Sequence, residues 1–149
     1  MLFNTVQIEW ACKECEKQEV GPLYVFNILV GVEFIHSLQY LGINDLLNLA
    51  SIVEPKTKGK FREIPVTNRK TLQVIGIDWI YIDRAIINLL TAINRYHSNP
   101  YLLNPEDTYK EFERIHPFID GNGRVGAIIY NWMKRSLFNP LPSPEFKED

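Results

Sequence analysis

Hydrophobic and polar positions along the chain alternate mostly with a helical period. The clearest stripe runs from Trp79 to His97. Trp79, Ile82, Ile86, Leu89, Leu90, Ile93 and Tyr96 recur at spacings of three and four, while Asp83, Asn88, Thr91 and Arg95 fall off that stripe. That pattern predicts an amphipathic helix, with Asp78 as its N-cap and Ser98-Asn99-Pro100 as its end. Leu23 to Leu41 is apolar on most sides and reads as the central buried helix. It is nearly long enough to span a bilayer, but Asn27, Glu33, His36 and Gln39 interrupt it, and a charge inside a membrane is costly. Gly42 marks its stop, and a shorter amphipathic helix follows over Asp45 to Val53, ended by Pro55.

Asn104-Pro105-Glu106-Asp107 is a strong helix start, with a cap, a proline in the first turn and two acids beside the positive end of the dipole. Tyr109, Phe112 and Ile115 form its apolar stripe, and Pro117 stops it. A last helix is predicted from about Asn122 to Phe138, burying Val125, Ile128, Ile129 and Trp132. Between the helices, Phe61-Arg62-Glu63-Ile64-Pro65-Val66 has extended chemistry, and Pro65 keeps it off a sheet interior. It reads as a short exposed hairpin, or as a plain basic loop. The tail, 139–149, holds three prolines and four charges and reads as a loose end.

Composition narrows the class. A chain of 149 residues suits one domain over 1–149, and its 46% hydrophobic and 23% charged shares are those of a globular protein. A net charge of -2 argues against direct nucleic-acid binding. The N-terminus carries no signal-peptide pattern, so no membrane association and a cytoplasmic location are expected, with delivery into a host cell left open. Cys12 and Cys15 form a C-x-x-C pair without the second pair a zinc site needs, and read as reduced thiols on a polar helix. His36 and His97 read as structural.

The chemistry gathers in His116-Pro117-Phe118-Ile119-Asp120-Gly121-Asn122-Gly123-Arg124. A two-glycine loop entering a helix N-terminus presents free N–H groups and a positive dipole end to an anion. Asp120 can hold Mg²⁺, which takes few carboxylates and fills its shell with phosphate oxygens and water. Arg124 can reach phosphate oxygens, and His116 can accept a proton near neutral pH.

These nine residues resemble the Fic motif, His-Pro-Phe-x-Asp/Glu-Gly-Asn-Gly-Arg, at every fixed position. The resemblance implies an all-α Fic-type bundle with a short β-hairpin flap at about 59–67. It implies a transferase moving AMP from ATP, with Mg²⁺, onto a Ser, Thr or Tyr hydroxyl of a protein. On it, His116 is the catalytic base, Phe118 anchors the loop, and Asp120 is the metal ligand. Gly121, Asn122, Gly123 and Arg124 bind phosphate. Gly59, Lys60, Phe61, Arg62, Glu63 and Ile64 are similar to the start of a flap that docks the target strand.

Two departures stand out. A second arginine, which in the family resembles a clamp on the γ-phosphate, is replaced by Ala127. Donors other than ATP, or a catalytically silent binding module, therefore stay open. Arg135 is too far along the helix, about 16 Å, to substitute, whereas Arg62, Arg69 or Lys70 could. The nearest match to the family's inhibitory Ser/Thr-x-x-x-Glu-Gly/Asn helix is Thr5 to Glu9, followed by Trp10, so its last position is wrong. Self-inhibition of the usual kind is not expected. Control by a separate antitoxin-like inhibitor protein, by expression, or no control at all remain alternatives.

Overall fold

The computed structural model describes residues 2–99 and 104–146, without the side chains of His97 and Ser98. Pro100 and the end of the tail, 147–149, lie outside the described residues. The described chain is mostly helical: α1 (Thr5–Lys17), α2 (Leu23–His36), α3 (Ile43–Val53), α4 (Ile82–Ser98), α5 (Pro105–Ile115) and α6 (Asn122–Met133). Single 3₁₀ turns at Pro55–Thr57 and Trp79–Tyr81 flank one antiparallel hairpin, β1 (Val66–Thr67) and β2 (Val74–Ile75), paired Val66 to Ile75 and Thr67 to Val74. The all-α architecture with a small hairpin is as the sequence predicts.

Local chemistry sets the helix starts. Asn4 caps α1 by accepting from Gln7 N at 2.8 Å, and the Gln7 side chain returns the bond to Asn4 N at 2.9 Å. Asn104 caps α5 with Pro105 in the first turn. The α4 stripe is buried from Ile82 to Ile93, but Trp79 sits in the preceding 3₁₀ turn and is 39% exposed.

The centre of the fold differs from the sequence expectation. Every residue of α6 is buried, whereas α2 leaves Leu23 and Phe26 largely exposed. The central helix is therefore α6, with α1, α2, α3, α4 and α5 all packed against it. It ends at Met133, short of Phe138. Helix α2 stops at His36 because the chain beyond it is held elsewhere. Leu41 exchanges both backbone bonds with the Asn94 side chain, at 2.8 and 2.9 Å.

Two further expectations are corrected. The hairpin does not lie at 59–67. Only the last two residues of that range, Val66 and Thr67, are in a strand, and its partner strand is Val74–Ile75. The tail is not loose over 139–146. Asn131 accepts from Leu141 N at 2.7 Å and donates to Leu141 O at 3.0 Å, and Ser143 is buried.

Candidate active site

Helix α5 ends on His116, whose left-handed backbone (φ 52°) turns the chain sharply into the motif. The α5 carbonyls left open at that end are met by one buried guanidinium. Arg62 donates through Nε to His116 O at 2.6 Å and through Nη2 to Ile115 O at 3.3 Å. The same group reaches Ile64 O at 2.9 Å and Ile77 O at 2.6 Å, and Arg62 N donates to Pro117 O. Phe61 packs beside it on Phe118, with ring centroids 5.5 Å apart. Arg62 is thus a structural clasp, 4% exposed, and is not available as a phosphate clamp or a docking residue.

The loop after His116 is held from within. Phe118 is fully buried, and its backbone N–H and C=O both bond the Asn122 side chain, at 2.8 and 2.9 Å. Asn122 therefore spends its side chain on the loop and offers an anion its backbone N–H. Gly121 adopts φ 82°, and a Cβ there would lie 2.8 Å from Glu54 Cβ. A Cβ on Gly123 would collide with the carboxamide of Gln18, which follows α1. Asp120 accepts from Gly121 N at 2.8 Å, and its other oxygen lies 3.9 Å from Lys56 Nζ.

Arg124 is 1% exposed. Its guanidinium is 3.1 Å from Glu54 Oε1, 3.4 Å from Val53 O, 3.6 Å from Asp120 Oδ1 and 4.8 Å over the Tyr24 ring. Its Nε has no hydrogen-bond partner. Any anion that reached Arg124 would share it with Glu54. Ala127 is fully buried; it lies one turn beyond Gly123, on the row of α6 that meets the end of α1.

The motif residues His116, Asp120, Gly121, Asn122, Gly123 and Arg124 line one cleft of about 630 Å³. Its other walls are the end of α1, the hairpin with Arg69 and Lys70, and Phe146. Gly59 to Glu63, expected to dock a target beside the site, border a separate groove of about 300 Å³ with Leu47, Trp79 and Ile80. Ile64 is 50% exposed and in no strand. His116 Nδ1 is buried without a partner. Burial, and secondarily the Arg62 charge, lower the ring's pKa from 6.5 to about 4, against an opposing pull from Asp120. The imidazole is therefore neutral at physiological pH and can take a proton.

Among the described residues no three His, Cys, Asp or Glu side chains form a metal cluster. The partly exposed Asp120 carboxylate, at the N-terminus of α6, suits Mg²⁺ shared with phosphate oxygens. Elsewhere, burial raises the Cys15 thiol, which keeps it protonated and inert, and Cys12 is exposed and free. The His36 ring packs edge-on against Phe138 at 4.7 Å. Sequence reasoning missed Glu54, Gln18 and Phe146. Only Glu54 carried a signal, as a lone acid closing the apolar run of α3.

Fold and cleft together define a helical protein with a glycine loop at a helix N-terminus and a neutral histidine at its edge. The Fic/DOC family model matches residues 32–133, and the chain belongs to that family. It is 37% identical over 67 residues to a Fido domain-containing protein of Dictyostelium discoideum, a match covering 42% of this chain and 46% of that one. The fold resembles a Fic domain-containing signaling protein from Bacteroides thetaiotaomicron, at TM-score 0.62 and 20% identity over 74% of this chain and 46% of that chain. A Fic family protein from Desulfovibrio desulfuricans matches at TM-score 0.61 and 20% identity over 86% of this chain and 42% of that one. The chain thus spans less than half the length of each of these relatives. Members of the family are generally transferases of phosphate-linked groups. No helix among the described residues is long and apolar enough to cross a membrane.

Proposed function

We propose that this chain transfers a nucleotide-linked group, AMP from ATP in the simplest case, onto a Ser, Thr or Tyr hydroxyl of another protein. The observation that carries this reading is the convergence of His116, Asp120 and the α6 N-terminus on one cleft. The hydroxyl oxygen forms a bond to the α-phosphorus. The bond from that phosphorus to the bridging oxygen breaks, pyrophosphate leaves, and the hydroxyl proton passes to His116. Burial leaves the ring neutral, so the base starts unprotonated, although its proton affinity is below that of a free imidazole. The backbone N–H groups of Asn122, Gly123 and Arg124, in the first turn of α6, hold phosphate oxygens, and Asp120 would hold Mg²⁺. The ion would supply charge neutralisation along the phosphate chain.

A second reading rests on Ala127. Helix α6 offers no cation one turn past Arg124, so a donor whose third phosphate needs no such grip, a nucleoside diphosphate or a diphosphate-linked metabolite, suits the cleft as well. Intact-mass spectrometry of candidate target proteins, incubated with the enzyme, Mg²⁺ and each donor, separates the readings by the mass added. The variant His116→Ala should cut transfer about a hundred- to ten-thousand-fold while binding nucleotide as before. Wild-type turnover in that variant would remove His116 from the mechanism.

A further inference from the structure

The segment after α6 is bound in a way that its composition does not require. Ser143 is 4% exposed, and its N–H and Oγ each donate to the Glu14 carboxylate at 2.9 Å. Lys17 Nζ closes the arrangement by donating to Ser143 O at 2.7 Å and contacting its Oγ at 2.9 Å. Glu14 is itself only 2% exposed. A buried carboxylate is costly unless fully partnered, so this geometry specifies where the segment runs. Two residues earlier, the fully buried Asn131 fixes Leu141 by two bonds. Three residues beyond Ser143, a reach of at most about 10 Å, Phe146 enters the cleft that holds His116 and the glycine loop.

Phe146 is half-buried there, and among the described residues lining the cleft it is the one carbocyclic aromatic ring. The remaining walls are mostly charged, amide or small aliphatic side chains. A nucleotide whose phosphates lie on the glycine loop still has a planar base to cover, and a flat aromatic face is the side chain that covers it best.

We propose that Phe146 is the stacking wall for the nucleobase of the donor, and that Glu14, Ser143 and Lys17 form the clamp that positions it. The proposal rests on the reading of the cleft as a nucleotide-transfer site.

Calorimetry on the full chain with Mg²⁺ tests it, using ATP and inorganic tripolyphosphate as probes. Phe146→Ala should weaken ATP binding about ten- to hundred-fold, within the range base–aromatic stacking supplies. Phe146→Trp should keep wild-type affinity, and tripolyphosphate, which has no base, should bind all variants alike. Ser143→Ala should weaken ATP and again spare tripolyphosphate. In transfer assays Phe146→Ala should raise the donor KM and leave kcat in place. Unchanged or tighter ATP binding by Phe146→Ala, with an unaltered circular-dichroism melt, would overturn the stacking role, tighter binding marking the ring as a plug. An equal loss for tripolyphosphate would overturn it too. A wild-type chain that binds neither probe would instead overturn the transferase reading, and the stacking role with it.

Discussion

His116 stands where opposing influences meet. Burial and the Arg62 charge disfavour its proton, and Asp120 favours it, with the net result a pKa of about 4. The native value lies below the unfolded one, near 6.5, so the unfolded chain takes up the proton first as pH falls. The stability contributed by the neutral ring is complete above about pH 6.5 and is lost progressively towards pH 4. Urea midpoints of the wild type should therefore fall more steeply between those values than those of His116→Gln. Parallel curves would show that the ring is not desolvated. Glu54 invites a different test. Its carboxylate holds the Arg124 guanidinium, with both side chains almost wholly enclosed, and its Cβ packs close against Gly121. Removing one partner of a buried pair typically costs about 3–5 kcal/mol, since the other charge is stranded. Glu54→Ala should lose that much in urea unfolding. A loss under 1 kcal/mol would mean that water enters the pair freely.

The hairpin is an element whose place was misread for a physical reason. Phe61 to Val66 has β-type composition, but its hydrogen-bonding groups are taken by distant partners. Arg62 N goes to Pro117 O, the Arg62 side chain takes the Ile64 carbonyl, and Pro65 has no N–H. The bonds from Arg62 to His116 and Pro117 span more than fifty positions and leave no trace in a local pattern. By contrast α5 was legible to the residue, and α4 apart from its first turn, where Asp78 caps the preceding 3₁₀ turn instead, because stripe and caps are local features. The hairpin itself shows Leu72 at 76% and Val74 at 68% exposure, apolar surface beside the cleft. Val74→Asp should therefore lower modification of a protein target at least about ten-fold and change nucleotide affinity less than about two-fold. Stability should stay within roughly 0.5 kcal/mol, as for most surface changes. Equal losses for target and nucleotide would mean that the hairpin serves the nucleotide.

At the scale of the whole molecule, the enclosure of α6 governs what the site can become. The motif was legible because its residues are contiguous, and seven of the nine line the cleft. That Ala127 is enclosed was not legible, because it depends on how α1 and the other helices pack on α6. In that enclosure, Ala127→Arg would force a charged side chain into a filled space. Overpacking alone costs about 1–3 kcal/mol, and burying the charge adds to it. The variant should melt lower, with no selective gain for ATP over ADP in calorimetry. A stable variant that tightened ATP alone would show that the enclosure yields at this point.

The seat of α1 has a temporal side. Asn4 and Gln7 donate to the carbonyls of Phe138 and Leu137, and Glu14 and Lys17 hold Ser143, so the first helix closes on residues 126–134 positions later. During synthesis at roughly 5–20 residues per second, α1 leaves the ribosome many seconds before its partners exist. A nascent chain cannot seat that helix, nor bring Phe146 to the cleft, until residues 137–146 have emerged. The cleft that the end of this helix walls would thus be completed only after that late segment has been made.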